Sequence, residues 1–476
     1  MSNHFPIMIP GAQATAKKEV RAPYDGKPIA TIDAGGAAAV EKALATAHAL
    51  HRDRDAWLPP ARRIAILKKA VALMEARAEE LAVEAAREGG KPLVDSRVEV
   101  ARAIDGMANC AEILRSESGH VIPMNINAAS AGRVAFTQRE PIGVVIALSA
   151  FNHPVNLIVH QVGPAIAAGC PVIVKPAGDT PLSCMRVVAI LREAGLPDAW
   201  CQALVTESTE LATRLASDAR VAFLSFIGSA RVGWMLRSKL APGARCALEH
   251  GGVAPAIVAA DADLDVAIPK LVKGGFYHAG QVCVSVQRIY VQRAIADKVA
   301  QRLAEGARKL KVGDPVSPDT EVGPLIRHAE VERIDGWIKE AVQGGARLLC
   351  GGKAISASCY EPTVLFEPSD DARISRDEVF GPVVCVYPYD ELDHAIARAN
   401  ALPVAFQSAI FTTSYATAMR AYARLDASAV MVNDHTAFRV DWMPFAGLRE
   451  SGHGVSGIPY TFREMQVEKM FVGPLG

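Results

Sequence analysis

Two residues with complementary chemistry, a thiol and a carboxylate, stand 34 positions apart near the middle of the chain. Cys283 follows Gly280-Gln281-Val282, where a hydrophobic helix is predicted to break, and Glu249 is followed closely by Gly251-Gly252. A thiolate attacks carbonyl carbons, and a nearby carboxylate can activate water against the resulting acyl-enzyme. Taken alone, Cys283 resembles a small buried hydrophobe, but the glycines near both residues let the backbone approach a ligand. The pair therefore predicts covalent catalysis on an aldehyde.

Shorter motifs follow predicted strands, at the edge where open α/β sheets bind ligands. Asn152 follows one such strand and offers an amide donor to an oxyanion, while Lys175 ends another and is suited to a ribose. Gly228 and Ser229 lie between a strand and a helix, where backbone N–H groups can bind a pyrophosphate and Ser229 can cap the helix. Each signal alone has a commoner explanation: a turn for Asn152 and Gly228, a solvated side chain for Lys175 and a surface loop for Glu378.

The composition excludes several classes of protein. The chain has 476 residues, half of them hydrophobic, and equal numbers of acidic and basic side chains. This predicts two or three globular domains and neither a nucleic-acid partner nor an anionic membrane partner. Nine scattered cysteines without a CxxC pair predict a reducing compartment and no bound metal. Polar residues and glycines interrupt the apolar stretch 142–174, which excludes a membrane span, and the N-terminus lacks a secretory signal pattern. We therefore expect a cytoplasmic protein.

The first half of the chain has an α/β pattern. One helix is predicted over 60–87, where apolar residues form a stripe that ends before Gly89-Gly90. Beyond residue 141, short apolar runs alternate with helical segments rich in Ala and Leu, which is typical of a parallel sheet covered on both faces. These predicted strands span 142–148, 172–174, 221–226 and 256–258.

A second α/β pattern begins after Glu249. It comprises helices at 264–278 and 295–310 and strands at 287–291 and around Val383 and Ala409. Between the first helices and the first sheet, residues 121–140 alternate as strands do, without a helical stripe. This segment is predicted to leave the body of the molecule and to form an oligomer contact.

The motifs gain specificity from their order. Seven of them occur in succession at wide spacings: FNxP, KPA, FxGS, LExGG, GQxC, ExFGP and PFxG. Together they resemble the aldehyde dehydrogenase superfamily over nearly the whole chain, from 24 to about 472. The resemblance implies an α/β fold with two doubly wound parallel-sheet domains and a small β oligomerisation arm. It further implies a cofactor-binding domain at 1–120 and 141–251, a catalytic domain at 252–455 and an arm at 121–140 and 456–476.

The resemblance also implies the roles of individual residues. Cys283 would attack the aldehyde to give a thiohemiacetal and then a thioester, Asn152 would hold the oxyanion, and Glu249 would activate water to release the carboxylic acid. The cofactor would be NAD or NADP. Its implied contacts are Ser149, Ala150, Phe151, Lys175, Gly178, Gly228, Ser229, Val232, Gly251, Glu378 and Phe380. A homodimer or a homotetramer is implied as well.

Three positions depart from the family pattern. Gly178 stands where many NAD-preferring members have a glutamate that repels a 2′-phosphate, so both NAD and NADP stay open. Ala446 replaces a glycine of the PFGG motif, and Gln161 replaces a lysine common in the helix after Asn152. Neither of the last two changes puts a catalytic role in doubt.

The substrate class is implied by a finer resemblance. The segments EHGGV, VCVSVQR and FRVD are similar to those of the lactaldehyde and phosphonoacetaldehyde dehydrogenase branch, which favours small polar or anionic aldehydes such as lactaldehyde. His160 and Arg439 are the candidate ligands for an anionic tail, because guanidinium binds carboxylate, phosphonate or sulfonate through two hydrogen bonds. The alternatives are a packed helix histidine and an arginine paired with a neighbouring acid. Val282 beside the nucleophile carries no charge, which weakens the phosphonate version.

Other activities are compatible with this fold. A CoA-acylating semialdehyde dehydrogenase is one alternative, but such relatives lack the general-base glutamate that Glu249 provides here. A catalytically silent relative is a second alternative, and the presence of Cys283 argues against it. An aromatic aldehyde dehydrogenase of the same fold is the third, and the sequence does not rank its substrates against lactaldehyde.

Overall fold

The computed structural model describes residues 4–475, which form two large sheets, two three-stranded sheets and one two-stranded sheet. The predicted domain ranges reach residues 1–3 and 476, which lie outside the described residues. The strands are β1 (His4–Phe5), β2 (Ala16–Arg21), β3 (Pro28–Ala34), β4 (Val121–Ile122), β5 (Arg133–Pro141), β6 (Val144–Leu148), β7 (Val172–Lys175), β8 (Cys201–Ala203), β9 (Val221–Ile227), β10 (Arg245–Glu249), β11 (Ala254–Val258), β12 (Val286–Gln292), β13 (Arg347–Cys350), β14 (Thr363–Phe366), β15 (Val383–Tyr389), β16 (Val404–Ala405), β17 (Gln407–Phe411), β18 (Ala429–Val432), β19 (Leu448–Arg449), β20 (Gly452–His453) and β21 (Gln466–Pro474).

Helices cover the faces of the two large sheets. They are α1 (Ala37–Arg52), α2 (Pro60–Ala76), α3 (Ala78–Gly89), α4 (Leu93–Ser116), α5 (Asn156–Ala168), α6 (Leu182–Glu193), α7 (Thr209–Ser217), α8 (Ala230–Arg237), α9 (Leu264–Phe276), α10 (Arg293–Lys309), α11 (His328–Gln343), α12 (Arg373–Arg376), α13 (Leu392–Asn400), α14 (Tyr415–Arg424) and α15 (Ile458–Glu464). Short 3₁₀ turns occur at Arg54–Ala56, Asp198–Trp200 and Tyr277–Gly280. Within the part of the chain that the structure describes, no helix is both long and apolar enough to span a membrane.

The first large sheet has six strands in the order β20-β10-β9-β6-β7-β8. All neighbouring strands are parallel except β20, which is antiparallel to β10. Every residue of the central strand β6 is buried. Its side chains alternate between two hydrophobic cores: Val145 faces one and Ile146 the other. This alternation confirms the predicted sheet covered on both faces, although β6 begins at Val144 rather than at residue 142.

The second large sheet has seven strands in the order β13-β14-β15-β12-β11-β17-β18. It is parallel except for the edge strand β13, which is antiparallel to β14. Strands β12 and β15 are buried along almost their whole length. A separate hydrophobic core packs around this sheet, so the two α/β patterns of the sequence correspond to two separate sheets.

One of the three-stranded sheets, called the small sheet below, has the strand order β21-β5-β4. Strands β5 and β21 pair antiparallel from Arg133 with Pro474 to Pro141 with Gln466. The predicted strands at 121–140 thus occur at both ends of that segment. Helix α15 lies within the range 456–476 that was predicted to belong to the arm. Its Ile458 and Phe462 side chains pack in the core of the first large sheet.

The helix predicted over 60–87 is two helices, α2 and α3. They are separated at Arg77, whose φ of −119° and ψ of 17° are not helical. No glycine or proline lies near Arg77, so the local sequence contained no signal for a break. Both helices pack against α4 and α6, and this tertiary packing decides where the chain bends.

Candidate active site

A cavity of about 780 Å³ lies at the carboxyl ends of the strands of the first sheet, facing loops of the second. Segments that follow β6, β7, β9 and β10 line it on one side. The structure brings most of the predicted residues together here. Those bordering the cavity are Ser149, Ala150, Phe151, Asn152, Gly178, Gly228, Ser229, Val232, Glu249, Gly251, Cys283, Glu378, Phe380 and Arg439. Two predicted residues, Lys175 and His160, do not border it.

The loop that carries Cys283 has an unusual backbone. After α9 ends, His278 and Ala279 adopt positive φ angles of 49° and 54°, and Gly280 follows with a φ of 70°. The positive φ of two non-glycine residues is costly and persists only where the surroundings hold it. The side chain of Gln281 supplies part of that support, because it donates to the carbonyl oxygens of His278 and Pro324 and accepts from the Ile326 N–H. The nucleophile therefore follows a fixed turn.

Asn152 is held against the same loop. Its Nδ2 donates to the carbonyl oxygen of Gln281 over 2.9 Å, two residues before Cys283. A side-chain amide has two N–H donors, so one donor remains for an oxyanion that forms beside the thiol. This contact links the strand end after β6 to the nucleophile loop, as the predicted oxyanion role requires.

The titration of Cys283 is governed by its surroundings. Burial and, to a smaller extent, the carboxylates of Glu249 and Glu378 raise the pKa of its thiol to about 12, although the charge of Arg439 opposes them. The thiol is therefore protonated at neutral pH, and its proton needs an acceptor. Burial also raises the pKa of Glu249, while Arg439 and a hydrogen bond from Ser456 lower it. A carboxylate with a raised pKa is suited to accept a proton near neutral pH.

The part of the cavity lined by the predicted cofactor contacts, the cofactor end, has buried polar atoms without hydrogen-bond partners in the described chain. Ser149 Oγ and Glu378 Oε1 are buried, and neither has a hydrogen-bond partner among residues 4–475. Burial raises the pKa of Glu378 to about 8. No atom lies within 4 Å of a Cβ built on Gly178, so there is open space beside it. Unpartnered buried polar atoms and open space at the ends of parallel strands fit the hydroxyls and phosphates of a dinucleotide.

Two details of the predicted cofactor contacts differ from expectation. Lys175 Nζ donates to the carbonyl oxygen of Pro176 over 3.0 Å instead of facing the cavity, and burial lowers its pKa. Ser229 occupies the N-cap position of α8, but its side chain makes no capping hydrogen bond, so the predicted hydroxyl cap is wrong. The backbone carbonyl of Ser229 instead accepts from the N–H groups of Val232 and Gly233.

Arg439 is a partly buried cation that also borders the cavity. Its guanidinium carbon lies 3.5 Å from the centroid of the Phe445 ring, and its Nη2 donates to His160 Nδ1 over 3.3 Å. Its Nε is buried and has no hydrogen-bond partner within the described ranges. No described carboxylate lies within 4.0 Å to form an ion pair with it, so the alternative of a neighbouring acid is not met. Burial lowers the pKa of Arg439.

His160 lies behind Arg439 and not in contact with the cavity. The side chain is only 2% exposed, and both ring nitrogens are occupied, because Nε2 is 2.6 Å from Asp441 Oδ1 and Nδ1 accepts from Arg439. In this geometry the ring contacts Asp441 and Arg439, and its contact with the substrate stays a prediction. Other buried residues of helix α5, such as Asn156, do border the cavity.

Three residues of this network were missed in the sequence. Asp441 accepts two hydrogen bonds from Arg102, of 3.1 and 2.8 Å, and one of 3.1 Å from Asn156 Nδ2. Arg102 and Asn156 both border the cavity. A signal was present, because Asn156 and His160 stand one turn apart on an otherwise mostly apolar helix and so share a face. Their common partner Asp441 is 281 residues or more away in sequence, which local patterns do not reveal.

Comparisons with known proteins agree with this geometry. The model of the aldehyde dehydrogenase family matches residues 10–471. The chain is 39% identical over 461 residues to 3-sulfolactaldehyde dehydrogenase of Priestia megaterium, and the alignment covers 97% of this chain and 96% of that protein. Among solved structures it is similar to aldehyde dehydrogenase 21 of Physcomitrella patens in complex with succinate, with a TM-score of 0.95, 34% identity and coverage of 100% and 99%. A lactaldehyde dehydrogenase structure gives a TM-score of 0.93 at 30% identity, with 99% of each chain covered.

Proposed function

The chain belongs to the aldehyde dehydrogenase family and is an oxidoreductase that oxidises aldehydes with NAD or NADP, and we propose that its substrate is a small aldehyde with an anionic group. The observation that carries this proposal is Arg439, a partly buried guanidinium that borders the cavity and whose Nε is buried without a hydrogen-bond partner among residues 4–475. Removing an unpaired charge from water, even in part, costs free energy. An anionic substrate tail would supply the missing partner and regain much of that cost.

The charges around Arg439 support a single anionic group. Arg102 also borders the cavity, but the carboxylate of Asp441 already balances it through two hydrogen bonds. Among the described arginines and lysines that border the cavity, Arg439 alone has no ion pair. The names of similar proteins point the same way, since one acts on 3-sulfolactaldehyde, a sulfonate, and one was solved with the dicarboxylate succinate.

Cys283 is the proposed nucleophile. Glu249 accepts the thiol proton and releases it to solvent, while the sulfur attacks the aldehyde carbon. The free N–H of Asn152 together with the Cys283 backbone N–H stabilises the oxyanion of the thiohemiacetal. A bound nicotinamide would supply the acceptor for the hydride of this carbon. The product on Cys283 is a thioester. Glu249 then takes a proton from water, the resulting hydroxide attacks the thioester carbon, and the C–S bond breaks to release the carboxylic acid and the free thiol.

The presence of Glu249 supports hydrolysis rather than transfer of the acyl group to CoA. Its raised pKa suits it to deprotonate water, and it borders the same cavity as Cys283. Steady turnover in the absence of CoA is expected. A reaction that requires CoA would contradict the hydrolytic assignment and favour the CoA-acylating alternative.

The charge preference can be tested with matched aldehydes. Succinic semialdehyde and butanal have the same carbon count, but only the first carries a carboxylate. We expect kcat/KM, followed at 340 nm, to favour succinic semialdehyde. Arg439→Met should lower it by about 100-fold for that substrate, as expected for loss of a charged hydrogen bond in a buried site, and by less than about 3-fold for butanal. Arg439→Lys is the matched control that keeps the charge. Equal losses with both aldehydes would contradict the proposal.

A dimer or tetramer built through the arm is also proposed. On the small sheet, Phe136 and Phe471 stack with ring centroids 5.1 Å apart, and Phe471 and its neighbour Met470 are both more than half exposed. Exposed apolar side chains in a contiguous patch are typical of an interface. Light scattering should give a dimer or tetramer that Phe471→Asp weakens, and a stable wild-type monomer would contradict this proposal.

A further inference from the structure

Asn156 carries an atom that the reaction described so far does not use. The residue begins α5, borders the cavity and is only 2% exposed. Its Nδ2 donates to Asp441 Oδ1 over 3.1 Å. Its Oδ1 is buried and has no hydrogen-bond partner within residues 4–475. A buried carbonyl oxygen without a partner costs about 1–3 kcal/mol, so such an atom calls for a donor.

The orientation of this amide is fixed by its neighbour. Burial opposes ionisation of Asp441, but hydrogen bonds from His160 and the charge of Arg102 hold its pKa below the ordinary range. An ionised carboxylate only accepts hydrogen bonds. Rotating the Asn156 amide by half a turn would set its oxygen against the Asp441 oxygen, acceptor against acceptor. The NH₂ group must therefore face Asp441, and the free atom of Asn156 is an acceptor.

The missing donor is best supplied by a hydroxyl group. A substrate can bring either an ammonium or a hydroxyl to an acceptor of this kind. Arg102 and Arg439 border the same cavity, and their positive charges repel an ammonium. A hydroxyl is neutral and can donate one hydrogen bond without this penalty.

The chain of contacts sets where that hydroxyl lies on the substrate. Asn152, four residues before Asn156, is bonded to the nucleophile loop. In the other direction, Asn156 is bonded to Asp441, which through His160 holds Arg439. Asn156 thus stands between the contacts of the aldehyde end and those of the anionic end.

We infer that Asn156 Oδ1 accepts a hydrogen bond from a substrate hydroxyl, so that the enzyme selects aldehydes carrying a hydroxyl between the aldehyde carbon and the anionic group. The inference rests on the proposed function, because it assumes that Arg439 binds the anionic tail. It narrows the substrate class from anionic aldehydes to anionic hydroxyaldehydes. A similar protein named for 3-sulfolactaldehyde acts on an aldehyde of that class.

The test compares two sulfonates that differ by one hydroxyl. The ratio of kcat/KM for 3-sulfolactaldehyde to that for 3-sulfopropanal is measured by absorbance at 340 nm. We expect the wild-type ratio to be about 10, which corresponds to about 1.4 kcal/mol, because the hydroxyl pairs a buried acceptor that is otherwise unsatisfied. Asn156→Leu should bring the ratio close to 1, mainly through a loss with the hydroxylated substrate.

Gln161→Met is the matched control on the same helix. Gln161 is also buried with an unpartnered Oε1, but it does not border the cavity. Its variant should keep the wild-type ratio even if it lowers the melting temperature. Asn156→Ala provides a second variant if the leucine disturbs folding. The wild-type ratio by itself also tests the inference, because it requires no substitution.

Two outcomes would overturn the inference. One is a wild-type ratio near 1, which would mean that only water occupies the acceptor. The other is an equal loss of activity with both sulfonates in the Asn156 variants, which would indicate a structural role through Asp441. Failure of the proposed function is seen separately, as an absence of preference for succinic semialdehyde over butanal.

Discussion

The predicted cofactor end and the predicted substrate end of the cavity are built from different kinds of residues. At the predicted cofactor end, Gly178 has open space beside it, and Ser149 Oγ and Glu378 Oε1 have no hydrogen-bond partners in the described part of the chain. At the substrate end, Asp441 accepts hydrogen bonds from Arg102, Asn156 and His160. One end is made largely of strand ends and small residues, and the other of a network of charged and polar side chains.

This difference suggests that the cofactor end binds a dinucleotide common to the family, while the substrate end selects among aldehydes. Strand ends and glycines accept a dinucleotide whose shape is the same in every member of a family. A network in which each side chain is held by others is rigid before the substrate arrives, which favours ligands that match its charges and donors. Selectivity for the aldehyde is therefore expected to depend on the Asp441 network and not on the cofactor end.

The largest expected effect comes from replacing Cys283. Cys283→Ala should lower aldehyde oxidation by about 10⁴-fold or more, because no other group can form the thioester. Binding of reduced cofactor, measured by fluorescence titration, should be unchanged, because Cys283 is not among the predicted cofactor contacts. Residual turnover within about 10-fold of the wild type would remove Cys283 from its role.

Glu249→Gln should separate the two chemical steps. Formation of the thioester should continue, while its hydrolysis slows by about 10²- to 10³-fold, the range for loss of a general base. Stopped-flow absorbance should then show a burst of reduced cofactor followed by slow turnover. In the wild type, hydrolysis should increase as pH rises through the elevated pKa of Glu249. An unchanged steady-state rate in the variant would contradict this assignment.

Asp441→Asn should affect the substrate end alone. The variant keeps the shape of the side chain but removes the charge that balances Arg102 and orients His160 and Asn156. We expect kcat/KM for anionic aldehydes to fall by about 10-fold, mostly through KM. The KM for NAD should stay within about 2-fold of the wild type. A matching rise in both KM values would show that the two ends are not independent.

Gly178→Glu should affect the cofactor end alone. A carboxylate at this position would face the adenosine ribose in the proposed binding mode and repel a 2′-phosphate. The expected result is a fall of about 5-fold in kcat/KM for NADP with little change for NAD. The preference for succinic semialdehyde over butanal should be retained, and its loss would contradict the separation of the two ends.

The smallest expected effect is on pH dependence. Burial and the charge of Arg439 lower the pKa of His160 to about 4, although its hydrogen bond to Asp441 opposes them. The ring is thus neutral above about pH 5, and KM for an anionic aldehyde should stay within about 2-fold between pH 6 and 9. As pH falls towards 4, the protonated ring loses its acceptor for Arg439 and KM should rise. A KM that changes steadily near pH 6.5 would contradict a neutral buried His160.

The sequence was most informative where a short segment carries its own signal. The turn that precedes Cys283 and the glycines that follow Glu249 predicted residues of one cavity, and Asn152 was predicted at the end of the β6 strand. The structure brings all three to that cavity. The break at Arg77 was missed because nothing in its neighbouring residues disfavours a helix, and packing against α4 and α6 imposes it.

By itself, the sequence determined the two parallel sheets and the position of the nucleophile, because hydrophobic periodicity and glycine-containing turns act over a few residues. Only the tertiary structure decided which of the two predicted substrate ligands borders the cavity. His160 and Arg439 were predicted as equal ligands, yet the fold places Asp441 behind His160, which turns that ring into a support for Arg439. The physical reason is that hydrogen bonds between residues 281 or more apart depend on how the helices and loops pack. No local pattern encodes such partners.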